Sequence, residues 1–503
     1  MGYTEQDLLE HLKEISLLNE TMGLAHWDMT TGMPDKANEQ RGEMIAYLSG
    51  LSYELNFGEK MTNLMTYFED KTSELSELGQ SAYEVAKRAF DLNYKIDKES
   101  FLGFQKTLTS AHADWVTSRE TKDFNDFKDS LTRLIDYTKQ FIPLWKKDEA
   151  TPYDVLLNQY EPGMTVEKLD EVFATVRKGI MEIRAKIEAE GKTPQTNFLY
   201  RHVSKAEQRE FAEKVIADLG YDLSRGRLDD TIHPYELTLN QNDVRITTRW
   251  AEEDFQMAIL GTIHEAGHGL YEQNINPEFA YTPLANGASM GIHESQSLFN
   301  ELVMAGSQNF WKRQYPVLQE ITGDTFKDIE FETFYRGLKQ TRASLIRIEA
   351  DSLTYPLHII IRYEIEKMIF NDGVAVEDLP KIWNDKYEEY LGIRPENDLE
   401  GILQDSHWSG GSFGYFPSYA LGYMYAAQLE HAMNKDLDVQ AILASDDYSA
   451  IIEWNKHHIH QYGASKKPNW LIEQATGESL NPTYLIEFLK NMYYAAYQIT
   501  DNN

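Results

Sequence analysis

The chain has 503 residues, of which 42% are hydrophobic and 12% aromatic, and its 81 acidic and 48 basic residues give a formal net charge of −33. This composition is typical of a globular protein with a sizeable core and excludes a disordered chain, while the negative charge argues against nucleic acid and anionic membranes as partners. Cysteine is absent, which excludes disulfides, thiol nucleophiles and thiolate metal sites, so any metal must be held by His, Asp or Glu.

The first segment of the chain predicts an amphipathic helix and no targeting signal. Residues 1–13 lack the apolar core of a signal peptide. Gln6 stands where N-myristoylation of Gly2 requires Ser or Thr. No apolar run approaches the length of a membrane span. We therefore expect a cytoplasmic protein.

Most of the remaining chain predicts further amphipathic helices. Apolar residues recur at the i, i+3, i+4 spacing of a helix face, as in residues 169–184 and 485–497. The breaks between such stretches are short Pro or Gly punctuation, without a long linker, an internal repeat or a low-complexity segment. The sequence thus predicts a mainly α fold in which residues 1–503 form a single unit.

One segment between the helices predicts a β-hairpin. Residues 231–240 and 243–250 are rich in β-branched and alternating residues and flank the short turn Gln241-Asn242. In the second run, a period of two places four polar residues on one face: Asp243, Arg245, Thr247 and Arg249. This face is either an exposed strand surface with ordinary charges or a polar wall beside the motif that follows it.

That motif lies in residues 262–271, where two histidines are spaced four residues apart. On a helix, His264 and His268 point the same way one turn apart, so both imidazoles can bind one ion. Glu265 is rotated about 100° from His264, which leaves its carboxylate beside the ion, where it can take a proton from a water molecule. The alternative is a chance polar patch on an ordinary helix.

The context of the two histidines favours the metal site. They lie in an otherwise apolar stretch, where unpaired polar groups are costly to bury. Gly267 and Gly269 each cost roughly 1 kcal/mol of helix stability relative to Ala, which indicates that another backbone or a ligand approaches closely there.

A catalytic zinc site needs a third protein ligand beside an open position. The strongest candidate is Glu294, which opens another predicted helix after the loop that follows the motif. His293 and Glu301 are alternatives, and spacing does not choose among them.

Five further blocks and the motif recur together in one known family. They are, in chain order, residues 27–34, 243–247, 264–268, 293–296, 346–351 and 401–408. The ordered set resembles the thermostable carboxypeptidases of the Taq type over nearly the whole chain. Many relatives carry Phe at the position of Tyr235, a conservative difference.

The resemblance implies a large helical two-lobed peptidase with a deep active-site groove and the small hairpin or sheet beside the metal-binding helix. It also implies a homodimer.

The resemblance assigns the metal to His264, His268 and Glu294 and makes Glu265 the general base. Zn²⁺ is the default ion because two imidazoles and a carboxylate suit it, although Co²⁺ or Mn²⁺ fits the same ligands.

A carboxypeptidase must also hold the terminal carboxylate of its peptide substrate, which a guanidinium does best through two parallel hydrogen bonds. Arg347 is the first candidate and Arg245 the second, and we expect His233 and Arg245 to line one end of the groove. The alternative for Arg347 is a structural salt bridge with Glu349 or Asp351.

The oxyanion of the reaction needs a hydrogen-bond donor. His407 precedes a glycine-rich turn at residues 409–414, and we expect it to act with Tyr423 or Tyr419, which lie one helical turn apart. A purely structural aromatic stripe is the alternative for each tyrosine. Three residues are expected to orient the ligands or Arg347: Gln404, Asp405 and Asp351.

These expectations describe a metal-dependent exopeptidase that removes C-terminal residues from peptides. A helical metallo-oligopeptidase that cuts internal bonds is the second interpretation. A metal-stabilised binding scaffold is the third, and Glu265 argues against it because a structural site needs no base.

Overall fold

A computed structural model of the chain describes residues 2–500. Its helices are α1 (Glu5–Thr31), α2 (Asn38–Phe57), α3 (Glu59–Phe68), α4 (Glu77–Tyr94), α5 (Lys98–Thr121), α6 (Asn125–Trp145), α7 (Pro152–Tyr160), α8 (Val166–Glu190), α9 (Lys205–Asp218), α10 (Phe255–Gln273), α11 (Met290–Leu298), α12 (Gln308–Thr322), α13 (Phe331–Gly337), α14 (Tyr355–Lys367), α15 (Leu379–Leu391), α16 (Pro417–Asp436), α17 (Val439–Leu443), α18 (Ser449–His458), α19 (Pro468–Thr476) and α20 (Thr483–Ala496). Its strands are β1 (Gly226–Asp230), β2 (Glu236–Asn240) and β3 (Asp243–Thr248). The prediction of a mainly α fold with a small β element is confirmed.

The predicted helices follow their local sequence signals. The helix expected in residues 169–184 lies inside α8, which buries its apolar stripe from Leu169 to Ile183. The one expected in residues 485–497 is α20. The amino-terminal helix begins at Glu5, where Thr4 and Asp7 form a capping box. Met1, with which the predicted amino-terminal segment starts, and residues 501–503 lie outside the described residues.

The predicted hairpin is present and belongs to a three-stranded sheet in the order β1-β3-β2. β2 and β3 are antiparallel, with Leu237 opposite Arg245, and β1 is parallel to β3. Strand β1 was not predicted, because its sequence, Gly-Arg-Leu-Asp-Asp, has no β-branched residue and no clear alternation.

The sheet lies between α10 and α1. A Cβ added at Gly269 of α10 would be 2.6 Å from the Tyr221 ring and 3.5 Å from Val244, so α10 covers the Val244 face of β3. A Cβ added at Gly23 of α1 would be 3.9 Å from Leu237, on the opposite face. The apolar face of β3 therefore supports the helix with the two histidines, and the face with Arg245 lies toward α1.

Buried apolar side chains form two clusters. The smaller one joins α1, α3 and α4 through residues such as Leu8, Leu64 and Phe90, and it includes Leu284 from the loop between α10 and α11. The larger one extends through the rest of the chain and surrounds α10, α11, α14 and α16. These four helices carry most of the predicted site residues, so the site is built on buried elements.

Within residues 2–500, no helix combines the length and apolarity that crossing a membrane would require.

Candidate metal centre

Two glycines allow the helices of the site to pack closely. A Cβ added at Gly267 of α10 would be 2.5 Å from the carbonyl oxygen of Gln296 on α11. A Cβ added at Gly422 of α16 would be 2.5 Å from Cγ of Glu294. Any larger residue at position 267 would clash with the backbone of α11, which explains why a glycine stands there. The cost of this glycine in helix stability had suggested such a close approach. At Gly269 the close neighbour is a tyrosine ring.

The structure brings His264, His268 and Glu294 together, with one ligand atom of each residue lying within 4.8 Å of the others. Nε2 of His264 is 3.9 Å from Oε1 of Glu294, and Nε2 of His268 is 3.7 Å from Oε2. These separations are too long for hydrogen bonds. They are close to the distance of about 3.4 Å between neighbouring ligand atoms in a tetrahedral zinc site. The donor set and its spacing therefore fit a divalent cation.

The ring orientation of His264 is set by Glu301. The Glu301 carboxylate lies 2.8 Å from Nδ1 of His264. A carboxylate accepts hydrogen bonds, so Nδ1 carries the proton and Nε2 keeps its lone pair for a metal. Glu301 was an alternative third ligand in the sequence, and it lies on the far nitrogen of the imidazole instead.

The ring orientation of His268 is set by two residues in series, His293 and Glu272. Oε1 of Glu272 lies 2.9 Å from Nε2 of His293, whose Nδ1 lies 2.6 Å from Nδ1 of His268. Burial lowers the pKa of His293, but the hydrogen bond to Glu272 and the neighbouring carboxylates outweigh it and raise that pKa. In the neutral form of His293, Nε2–H donates to Glu272 and Nδ1 accepts from Nδ1–H of His268. Nε2 of His268 is then free to bind a cation. His293, the other alternative for the third ligand, thus forms a hydrogen bond with the metal ligand His268.

The charges at the site favour a bound cation. Burial lowers the pKa of His264, but Glu294 and Glu301 outweigh it and raise it to about 10. Burial raises the pKa of Glu294. Burial also lowers the pKa of His268 well below its usual range, and the neighbouring imidazoles lower it further. Without a cation the buried carboxylates therefore hold a proton on His264, and a dication would take over this neutralising role.

Glu265 lies on α10 beside the ligands and is buried. No hydrogen bond among residues 2–500 occupies its carboxylate. Burial raises its pKa to about 7, against the opposing charge of His264. A carboxylate with a pKa near neutrality and no fixed partner can accept a proton and later release it.

Arg347 lies in a short helical turn before α14 and is buried. Nε and a terminal nitrogen pair with Oδ1 of Asp405 at 2.9 and 2.8 Å, and another N–H donates to the Tyr355 hydroxyl at 2.6 Å. The ion pair is thus with Asp405 rather than with Glu349 or Asp351, the partners that sequence proximity suggested. Gln404 accepts a hydrogen bond from the Arg347 main chain.

A second buried arginine shares the same aspartate. Arg362 donates to Oδ2 of Asp405 at 2.7 Å and to Gln404 at 2.8 Å. Two guanidinium groups therefore surround one carboxylate and leave one positive charge in excess. The charge of Arg347 also acts on the carboxylate of the metal ligand Glu294. Burial opposes ionisation of Asp405, but the two arginines hold its pKa well below the usual range. Asp351 instead binds Thr341 and the main chain of Arg342.

The predicted oxyanion donors surround Arg347. Nε2 of His407 is 3.3 Å from the Tyr419 hydroxyl, and the Arg347 guanidinium lies 5.1 Å from the centre of the Tyr419 ring. The Tyr423 ring stacks on Tyr355 at 5.5 Å. Burial lowers the pKa of His407 to about 4 and raises those of Tyr419 and Tyr423 well above the usual range. All three side chains therefore stay neutral, and both tyrosines keep their O–H donors.

Two predicted substrate residues are not part of this cluster. Arg245 pairs with Asp243 through two contacts of 2.7 Å and lies 5.5 Å from the Trp27 ring, on the sheet face toward α1. His233 is exposed in the loop between β1 and β2. No hydrogen bond or ion pair among the described residues connects either side chain with the metal ligands.

Glu161 was not predicted, although it supports the third ligand. Its Oε1 accepts hydrogen bonds from the main-chain N–H of Gly291 and from Ser418. A Cβ at Gly291 would lie 2.7 Å from that oxygen. A buried carboxylate thus caps the start of α11, one turn before Glu294. The only sequence signal was an acid before Pro162-Gly163, which also fits an ordinary turn.

The chain is similar to known proteins over nearly its whole length. The family model described as carboxypeptidase Taq (M32) metallopeptidase matches residues 7–493. Carboxypeptidase 1 of Bacillus subtilis (strain 168) is 45% identical over 494 residues, which cover 98% of each chain. Thermostable carboxypeptidase 1 of Thermus thermophilus is 34% identical, again over 98% of each chain. The crystal structure of an M32 carboxypeptidase from Deinococcus radiodurans R1 is similar with a TM-score of 0.94 at 33% identity, covering 98% of this chain and 99% of that one.

Proposed function

Because the chain belongs to the carboxypeptidase Taq (M32) metallopeptidase family, we propose that it removes single residues from the carboxyl ends of peptides with Glu265 as general base. Metal-dependent carboxypeptidase activity is the property of the family as a whole. The assignment of individual residues to steps is our proposal. The observation that carries it is the buried positive charge of Arg347 beside three converging metal ligands and an unpaired carboxylate.

His264, His268 and Glu294 hold the cation in this proposal. A divalent cation there supplies a Lewis acid that polarises the scissile carbonyl and makes water easier to deprotonate. Glu301 and the Glu272–His293 relay hold the two imidazoles in the tautomer that offers Nε2.

Glu265 moves the proton. Its carboxylate takes a proton from the attacking water and delivers it to the nitrogen of the leaving amino acid. The buried position supports this role, because burial brings its pKa near neutrality and leaves the group able to act in both directions.

Arg347 binds the terminal carboxylate of the peptide. Three of its N–H groups are used by Asp405 and Tyr355, and the remaining terminal N–H groups are available to a second carboxylate. Asp405 neutralises only one of the two guanidinium groups that it contacts, so the pocket retains a net positive charge. A free carboxylate is bound more strongly there than an amide.

Neutral donors next to the arginine stabilise the oxyanion. Tyr423 and Tyr419 keep their protons at neutral pH, and His407 fixes the Tyr419 hydroxyl. We rank Tyr423 and Tyr419 together, with His407 as the residue that positions Tyr419.

A peptide series tests this function. Peptides with free and amidated carboxyl ends are incubated with the enzyme, and the products are followed by mass. Stepwise loss of C-terminal residues from the free acids, with slow loss from the amides, is expected. Equal cleavage of both forms at internal bonds would instead indicate an oligopeptidase.

We further propose zinc as the bound ion, a homodimer, and a cytoplasmic location, with His233 and Arg245 lining one end of a groove between two helical lobes. The imidazole-rich ligand set supports zinc, and the family membership supports the dimer. Metal analysis of the purified protein, light scattering and cell fractionation test the first three properties in turn.

A further inference from the structure

Glu366 is a buried carboxylate outside the metal centre that accepts three hydrogen bonds. It lies near the end of α14 and is fully buried. The donors are the Tyr153 hydroxyl at 2.7 Å, Nε1–H of Trp408 at 2.7 Å and the main-chain N–H of Gly414 at 2.8 Å. Burial raises the pKa of Glu366 to about 7, while these three donors and the charge of Arg362 oppose the rise. Because an ionised carboxylate can only accept hydrogen bonds, the three donors favour the charged form.

A charged group in this position is costly. Taking a carboxylate out of water carries a penalty of several kcal/mol, which an apolar side chain of similar volume avoids. Hydrogen bonds from fixed donors offset the penalty only when their geometry is closely held. The buried carboxylate therefore indicates that the segments donating to it are kept in a defined arrangement.

Two of the three donors belong to one turn, residues 406–415, which we call the His407 turn. Trp408 directly follows His407, and Gly414 lies at the far end of the turn. Oε1 of Glu366 accepts from Trp408, and Oε2 accepts from Gly414. The carboxylate thus joins the two ends of the His407 turn, with one oxygen for each end.

The far end of the His407 turn lies against α7. Gly414 has a φ of +87°, and a Cβ there would be 2.7 Å from the carbonyl carbon of Leu156. A left-handed residue without a side chain therefore fits this position, and its N–H points to Glu366. Because Tyr153 also lies on α7, Glu366 connects the His407 turn with α7 as well as with α14.

The same face of α14 holds the residues just before the His407 turn. Arg362 lies one helical turn before Glu366 and donates to Asp405 at 2.7 Å and to Gln404 at 2.8 Å. Two successive turns of α14 therefore bind the chain on both sides of His407.

The position of His407 determines its contact with Tyr419. Nε2 of His407 lies 3.3 Å from the Tyr419 hydroxyl, and Tyr419 belongs to α16, which begins just after the His407 turn. The ring centre of His407 is also 4.4 Å from that of Phe416. A shift of the turn would move His407 relative to α16 and change the direction of the Tyr419 hydroxyl.

We propose that Glu366 is a positioning residue of the reaction, which closes the His407 turn so that His407 directs the Tyr419 hydroxyl toward the oxyanion. This inference rests on the proposed function, in which Tyr419 is an oxyanion donor, and adds the group that fixes the donor. No hydrogen bond or ion pair within residues 2–500 connects Glu366 with the metal ligands. Its effect therefore falls on kcat rather than on KM or metal binding.

Glu366→Gln and Glu364→Gln form a matched pair of variants. Glu364 lies on the same helix, accepts from the Tyr390 hydroxyl and from Lys386, and forms no hydrogen bond with the His407 turn in the described part of the chain. Glu366→Gln loses one acceptor oxygen. We expect it to lower kcat on a free-acid peptide about ten- to a hundredfold, with KM and metal content nearly unchanged. Glu364→Gln should leave kcat nearly unchanged.

The donors of Glu366 provide a second pair of variants, in case the glutamine variant does not fold. Trp408→Phe and Tyr153→Phe each remove one hydrogen bond to the same carboxylate, but only Trp408 belongs to the His407 turn. Trp408→Phe should lower kcat about tenfold, and Tyr153→Phe should lower only the melting temperature. Equal falls in kcat for these two variants would overturn the positioning role.

A double-mutant cycle with Tyr419→Phe separates this inference from the proposed function. Tyr419→Phe removes the hydroxyl that is positioned, so adding Glu366→Gln, or Trp408→Phe in its place, should lower kcat only about twofold or less. Independent effects in the cycle would overturn the positioning role and leave the proposed function intact. An unchanged kcat for Tyr419→Phe alone would remove Tyr419 as oxyanion donor, and the positioning role with it.

Discussion

Replacing Arg347 by alanine should abolish the preference for peptides with a free carboxyl end. The substitution removes two charge-assisted hydrogen bonds to the substrate, each contributing about 1.5–3 kcal/mol. The expected loss of about 3–6 kcal/mol corresponds to a fall in kcat/KM of about 10²- to 10⁴-fold on free-acid peptides. An amidated peptide lacks the charge, so its much lower kcat/KM should fall about tenfold or less.

The surroundings of Arg347 predict two further effects. Asp405 keeps its contact with Arg362 but loses the partner of Oδ1, which should reduce the free energy of unfolding by about 2 kcal/mol. Because the alanine leaves a buried space shaped for a guanidinium group, added guanidinium ion at millimolar concentration should restore part of the activity on free acids. Arg347→Lys should be intermediate, because it retains the charge and loses the paired geometry.

Kinetics on matched free-acid and amidated peptides measure these effects. Arg201→Ala is a suitable control, since it removes another arginine–aspartate pair, with Asp328, outside the site. The control should keep the wild-type ratio of the two rates. If Arg347→Ala lowers both rates by the same factor, Arg347 does not bind the terminal carboxylate and the reasoning is wrong.

Three other changes have defined outcomes. Glu265→Gln should keep the metal content measured by mass spectrometry and lower kcat about a thousandfold or more, because the amide cannot take a proton; activity within tenfold of wild type would exclude the general-base role. Glu272→Gln should weaken metal affinity about 10- to 100-fold in chelator competition, because a neutral amide is a weaker acceptor for Nε2–H of His293 than the carboxylate and can turn its own NH2 toward the ring; unchanged affinity would contradict the relay. For Glu161, burial raises the pKa to about 7. The folded protein then binds a proton there that the unfolded chain, with an ordinary carboxyl pKa, has lost, so stability is present below the unfolded pKa and is lost as pH rises through about 7. Glu161→Gln should remove part of this decline in melts of the holoenzyme from pH 5 to pH 8, and parallel curves would refute the assignment.

The local part of the site could be predicted from sequence because helical spacing is a local property. His264 and His268 needed only the i, i+4 rule to be placed on one face of α10. Gly267 signalled the close approach of α11 through its cost in helix propensity. The alternation around Gln241-Asn242 predicted the hairpin of β2 and β3.

The long-range part could not be predicted in this way. Arg347 pairs with a residue 58 positions later, while proximity in sequence favoured Glu349 and Asp351. The roles of His293 and Glu301 depend on which ring nitrogen each contacts, and spacing carries no such information. Arg245 lies on the polar strand face that the alternation predicted, but its contact with Trp27 depends on the packing of α1 on that face. Tertiary packing decided each of these contacts.

The most direct test of the central claim measures metal content and product identity on the same sample. The protein is stripped with a chelator and titrated with zinc, and at each step bound metal and released amino acids are quantified by mass spectrometry. Our account predicts that single C-terminal residues are released in proportion to bound metal, up to one ion per chain, and that His264→Ala and Glu294→Ala fail to recover activity at the same metal concentration. Full peptide hydrolysis by the stripped protein, or recovery of activity in both variants, would contradict it.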